Sequence, residues 1–177
     1  MDDEILQLRI ELIHTSIWRR VLVESESSFA DLHQVIQKVM NWDNSQAHEF
    51  RVNKDKFIAP KQNEIEFGSR TYLNEEKEKL SEYLAASCAE ITYLYDFDND
   101  WKHQIKLEKE LKTEEQDYPV CIDGEKQAPP EDCGGVPGYR HILEAVNNPE
   151  ENKEILAELR GEFEPDDFNI AAINDRL

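Results

Sequence analysis

Hydrophobic and polar positions alternate from the start of the chain. Leu6, Leu8, Ile10 and Leu12 fall on one side and Gln7, Arg9 and Glu11 on the other, the two-residue period of a half-buried strand. After HTS, the run Ile17–Val23 (IWRRVLV) predicts a second strand. The period then changes. In SFADLHQVIQKVMNW, Phe29, Leu32, Val35, Ile36, Val39 and Met40 recur at helical spacing, and Ser28 with Asp31 three residues on supplies a capping box. Short segments over residues 47–68 (HEFRV, KFIAP, EIEFG), punctuated by Lys, Asn, Asp and Pro, predict short strands and turns, and the charged NEEKEKLSEYLAASC reads as either a helical turn or a loop. A hairpin follows: Ile91, Tyr93, Tyr95 and Phe97 alternate up to a turn at residues 98–100, and Trp101, His103, Ile105 and Leu107 alternate beyond it. The acidic stretch 112–128 reads as a spacer leading to PPEDCGGVPG. Three helices complete the pattern: one over Tyr139–Asn147 ended by Pro149, one in EENKEILAELRG, and one in PDDFNIAAINDRL with Pro165 near its start. Strands first and helices last predict an α+β fold, with antiparallel strands and hairpins packed against one helix from the first half and the helices at the end. With no internal repeat or low-complexity linker, residues 1–177 read as one domain.

Composition narrows the partners. The chain has 39 acidic and 20 basic residues and a formal charge of −19, a field that repels phosphate backbones and anionic lipid, so nucleic acid is disfavoured as a ligand. The charge is uneven: residues 1–60 hold 7 basic and 10 acidic groups, while the remainder holds 13 and 29, so any anion-binding surface belongs in the first third. Cys88, Cys121 and Cys133 form no CxxC pair, and the polar opening MDDEILQLRI is unlike a signal peptide, which together point to a reducing, cytoplasmic setting. Apolar runs of only a few residues rule out a membrane-spanning segment in this reading.

Several unusual strings, taken together, resemble one family, the plasmid pRi open-reading-frame-three-like proteins. They are IWRRV (Ile17–Val21), DLH (Asp31–His33), Trp42, HEF (His48–Phe50), YLYDF with WKHQI (Tyr93–Ile105), YPVC (Tyr118–Cys121), Gly124, PPEDCGG (Pro129–Gly135) and GY (Gly138 and Tyr139), in order over nearly the whole chain. Thr15 and Ser16 stand where the family usually has proline, Asp98 and Asn99 replace its turn glycine and second acid, and Ala128 replaces a frequent cysteine. The resemblance implies an α+β fold and a mobile-element context. It brings no settled reaction.

The candidate chemistry gathers around two stretches. Asp96, Asp98 and Asp100 space their carboxylates as a calcium loop does, but Trp101 stands where that loop needs glycine and Leu107 where it needs a bidentate acid, so an Asx-rich turn is expected. His103 lies on the apolar face of its strand and is expected to be a hydrogen-bonded core histidine; the alternative joins it to Cys121 and Cys133, with His141 or Asp132, around zinc or another divalent ion. Arg19 and Arg20 point to opposite faces, and one of them is expected to pair with Glu131, Asp132 or Asp96. His33, next to core Leu32, is expected at the surface; His48 is the remaining notable imidazole. The candidate ligand-binding cleft is therefore Arg19, Arg20, Asp96, Trp101, His103, Glu131 and Asp132.

No P-loop, dinucleotide fingerprint or nucleophile elbow is present. Three functions fit. One is a non-enzymatic binding or regulatory module that meets a protein partner through its acidic face or the groove beside PPEDCGG. Another is a metal-dependent hydrolase or nuclease-like enzyme using Asp96, Glu131 and Asp132. The last is a nucleic-acid-binding accessory of a mobile element, suggested by Trp18-Arg19-Arg20 and opposed by the charge. The first asks least of the residues. What separates them structurally is whether PPEDCGG lines a cleft with Asp96, Trp101 and His103 or packs flush against the core.

Overall fold

The computed structural model describes residues 4–60, 70–84, 90–159 and 163–177. Its strands are β1 (Glu4–Leu12), β2 (Trp18–Glu24), β3 (His48–Arg51), β4 (Lys56–Ala59), β5 (Thr71–Asn74), β6 (Glu90–Tyr95), β7 (Trp101–Lys112) and β8 (Val120–Glu125). Its helices are α1 (Phe29–Met40), α2 (Leu80–Tyr83), α3 (Gly135–Asn147), α4 (Lys153–Glu158) and α5 (Ile170–Asn174). The strands form one sheet in the order β5-β4-β3-β6-β7-β1-β2-β8, antiparallel at every pairing except β4 with β5. The fold is α+β, as the pattern predicts.

Register follows from the alternation. Ile10 of β1 lies opposite Arg19 of β2 and Ile105 of β7, so one face collects Leu6, Leu8, Ile10, Val21, Tyr93 and Ile105 into the core. The apolar stripe of α1 joins the same core through Phe29, Leu32, Ile36 and Val39. The helix begins where expected: the Ser28 hydroxyl accepts the Asp31 N–H at 3.1 Å and the Asp31 carboxylate accepts the Ser28 N–H at 2.8 Å, a reciprocal cap that contributes about 1 kcal/mol. It ends at Asn41, which takes the left-handed conformation at φ 56°.

Four expectations need correction. The acidic stretch 112–128 is not a spacer throughout but holds edge strand β8, whose Cys121 turns inward while Ile122 is 41% exposed; with one face in water, its acids masked the strand pattern. Phe97 does not continue β6. It is 54% exposed in the turn, because Asp96 adopts φ 58° and turns the chain out of the strand. Helix α3 starts at Gly135, four residues earlier than expected, since Gly134 (φ 95°) and Gly135 (φ 68°) admit a left-handed entry and Pro137 is tolerated in a first turn. Helix α5 starts at Ile170 under an Asn169 cap rather than near Pro165. The ambiguous charged stretch resolves into part of β5, a turn and the short α2. The expected strand at 64–68, Cys88 and residues 160–162 lie outside the described residues. Among the described residues, no helix is long and apolar enough to cross a membrane.

Candidate functional site

On its hairpin side, the PPEDCGG arm is closed. Trp42 Nε1 donates to the Pro129 carbonyl and Trp101 Nε1 to the Glu131 carbonyl, each at 2.9 Å. The Glu131 carboxylate accepts the Asp43 N–H at 2.8 Å, the Ser45 hydroxyl at 3.1 Å and the Tyr95 hydroxyl. Burial and this carboxylate push the Tyr95 pKa up to about 12, so the phenol stays protonated and donates. A Cβ at Gly135 would overlap the Asn99 carbonyl oxygen, so the arm lies directly on the hairpin turn. Within that turn, Asp96 Oδ1 accepts the N–H groups of Asp98 and Asn99, both at 3.2 Å, and Oδ2 accepts the Asn99 side-chain amide at 2.7 Å, the Asx-rich turn anticipated above. Trp101 and Glu131 are thus brought together and packed flush, while the Asp96 carboxylate is occupied within its own turn and that of Glu131 by Asp43, Ser45 and Tyr95. Asp132 is exposed beside them.

Neither arginine pairs with these acids, contrary to expectation. Pairing of β2 with β8 places residues 123–126 alongside Arg19 and Arg20 instead. Arg20, on the outer face, makes two bonds to Glu108 at 2.6 and 2.9 Å and one to Asp123 at 2.9 Å. Arg19, 2% exposed on the inner face, donates only to carbonyls: Val39 at 3.2 Å, Trp18 at 2.8 Å, Glu125 at 2.9 Å and Lys126 at 2.8 Å. Burial pulls its pKa down to about 10.

The zinc grouping also does not form. His103 on β7 and Cys121 on β8 are separated in the sheet by β1 and β2, roughly 14 Å of strand spacing. Cys133 lies in the arm, where burial and Asp132 push its thiol up to about 11. Among the described residues, no three His, Cys, Asp or Glu side chains gather to hold a metal ion. His103 is fully buried; its Nδ1 lies 3.2 Å from the Trp101 carbonyl, its Nε2 has no partner, and burial lowers its pKa to about 3, so the ring is neutral. It is a core histidine with one nitrogen satisfied among the described residues.

His33 corrects the reading in the other direction: it is buried, not superficial. With Nε2 donating to Asn44 Oδ1 at 2.8 Å, Nδ1 accepts the Tyr93 hydroxyl at 2.8 Å. Tyr93 accepts from Gln37 Nε2 at 3.0 Å, and Gln37 Oε1 accepts the Asn44 N–H at 3.0 Å, which closes a ring of hydrogen bonds across α1, the following loop and β6. The His33 ring stacks on His48 at 3.5 Å, and His48 is held by Glu75 at 2.7 Å. The DLH and HEF strings were the signal that these two histidines belong to one arrangement.

The open side of the arm faces a groove. Residues 126–130, the C-terminal end of α1, and α5 with the segment before it enclose a cavity of about 440 Å³, within the range of small-ligand sites. Its apolar wall includes Val39, Met40, Phe163 and Ile173, and its polar groups include Arg19 and Arg176. Arg176 Nε donates to the Lys38 carbonyl at 2.9 Å, so both arginines cap the last turn of α1 from within the groove, where the helix dipole favours cations. The Phe168 ring lies 5.2 Å from the Arg19 guanidinium and is admitted by Gly124, where a Cβ would overlap that ring and the Trp18 carbonyl oxygen. Of the residues proposed from sequence, Arg19 alone lines this groove. Arg176, in the acidic second part of the chain, carried no sequence signal.

A family model described as plasmid pRiA4b ORF-3-like protein matches residues 4–172. The uncharacterized protein y4hQ of Sinorhizobium fredii (strain NBRC 101917 / NGR234) is 31% identical over 147 residues, covering 82% of this chain and 74% of the relative. The crystal structure of MM3350, a protein of unknown function from Methanosarcina mazei Go1, matches with a TM-score of 0.88 at 33% identity over 97% of both chains.

Proposed function

The chain belongs to the plasmid pRiA4b ORF-3-like family, and from that premise we propose that it is a non-enzymatic binding module that takes part of a protein partner into the groove beside the proline arm. One observation carries the reading: the groove combines an apolar wall with a buried guanidinium, Arg19, whose bonds all go to neutral carbonyls. Apolar walls with a few fixed polar groups suit recognition. The acids that hydrolysis would need support it by their employment elsewhere, since Glu131 accepts three donors and Asp96 holds its turn. The thiols of Cys121 and Cys133 are free, in keeping with a cytoplasmic setting.

The test is capture of partners by the full chain and by Ala172→Trp, which fills the groove. A partner retained by the natural protein and lost by the variant is the expected result. Divalent-dependent cleavage of phosphodiesters or esters that disappears in Glu131→Gln would establish the hydrolase instead, and salt-sensitive retention on DNA the nucleic-acid accessory.

A further inference from the structure

We propose that the groove recognises the C-terminal carboxylate of a polypeptide, held by the terminal nitrogens of Arg176 in the same groove as the buried charge of Arg19, with the ligand's apolar part against Met40, Phe163 and Ile173. This names the ligand class for the binding site proposed above and rests on that reading. Arg176 spends its Nε on the Lys38 carbonyl, and its two terminal nitrogens donate to no described residue. A guanidinium fork in that state matches the two oxygens of a carboxylate. Arg19 lines the same groove as a buried cation, with no carboxylate among the described residues at ion-pair distance from either guanidinium. Buried charge without a counter-ion is costly, and a bound anion removes the cost. Both guanidiniums line the groove and cap consecutive carbonyls of α1, Arg176 Nε on Lys38 at 2.9 Å and Arg19 Nε on Val39 at 3.2 Å.

Charge accounting selects a monoanion. Lys126, also at the groove, is already paired with Asp166 at 2.8 Å, while Glu158 and Asp167 at the rim and Asp175 beside Arg176 add negative charge. A phosphate dianion would meet too few donors and the field of a molecule at −19. The cavity of about 440 Å³ suits the last two or three residues of a polypeptide, in keeping with the protein partner proposed above.

The experiment is titration of the full chain, followed by NMR shifts of groove residues, with hexanoate, hexanamide, N-acetyl-leucyl-leucine as free acid, its C-terminal amide, and inorganic phosphate. Both acids supply the same chemistry; N-acetyl-leucyl-leucine is expected to bind more tightly than hexanoate, and tighter binding of hexanoate would overturn the polypeptide terminus in favour of a small acid. The free acids are expected to bind at least about tenfold more tightly than the amides. Arg176→Gln, checked for folding by thermal unfolding, should lower acid affinity by about tenfold and leave amide affinity unchanged. Equal binding of acids and amides, or phosphate binding best, overturns the carboxylate inference while leaving the groove as a binding site. Groove residues that respond to a captured partner but to no acid overturn it too. A groove that responds to neither overturns both readings.

Discussion

A guanidinium buried on a strand is satisfied either by a carboxylate or by carbonyl oxygens, and Arg19 takes the second course, with four carbonyls from β2, α1 and the end of β8. Strand alternation places one of two neighbouring arginines inward, as it did here, but carries no information on its partner. The histidines make the same point. Helical spacing puts His33 beside the apolar stripe of α1, and the stacked His48 ring, Tyr93 and the return of the loop through Asn44 bury it. That burial has a pH signature. The His33 pKa is lowered to about 4 and that of His103 to about 3, chiefly by desolvation. The unfolded chain, with imidazoles near 6.5, takes up these protons first. Their stabilisation is therefore complete above about pH 6.5 and drains as pH falls toward 4 and then 3. Glu108, whose pKa is lowered mainly by its bond to Arg20, adds to the loss once carboxylates titrate. Urea unfolding across this range should show stability falling by roughly 3 kcal/mol for His33 alone at the acid limit. A flat profile between pH 7 and pH 5 would mean that the folded rings accept protons freely.

At the scale of elements, what was legible depended on periodicity. Strand β1, helix α1 with its cap, and the β6–β7 hairpin each carry a strong period over many residues, and each stands where the pattern predicts, save that β6 stops at Tyr95 rather than running on to Phe97. Strand β8 was missed because an edge strand of six residues, half of it facing water, offers little alternation to read. Its partner across the groove is equally local: Phe168 crosses β8 at Gly124 and reaches Arg19. Gly124→Ala is expected to cost about 1–3 kcal/mol by overpacking, and to speed amide hydrogen exchange in β8 and α5 while β6 and β7 stay protected. Equal exchange in natural and variant protein would show that Phe168 moves aside at no cost. Between a cleft and flush packing, the PPEDCGG arm takes the second on its hairpin side, held by Trp42, Trp101, Tyr95 and the Asp43 backbone and Ser45 side chain rather than by arginine. The acids of PPED showed that a fixed anchor exists; which groups it grips depended on contacts between segments 30 to 90 residues apart.

For the molecule as a whole, class was legible and strand order was not. Composition and period lead to α+β, whereas the order β5-β4-β3-β6-β7-β1-β2-β8 is set by pairings between distant segments. The charge of −19 acts at this scale as well. Self-repulsion among 39 acids, only some of them paired, should make the melting temperature rise as sodium chloride is raised from low to physiological concentration, where screening shortens to about 8 Å. A melting temperature indifferent to salt would show that the ion pairs already neutralise the field.

The central seam of the sheet joins β1, completed at Leu12, to β7, which begins only at Trp101. During synthesis the β1–β2 hairpin therefore exists for a long interval with both edges bare, β1 waiting for β7 and β2 for β8, and closing the β1–β7 seam requires a loop of nearly ninety residues to find its end. Such a topology folds slowly for its size and relies on Gln7, Arg9 and Glu11, the polar residues facing outward from β1, to discourage wrong neighbours while the edge waits. The same strand that anchors the finished protein is, for that interval, its most adhesive part.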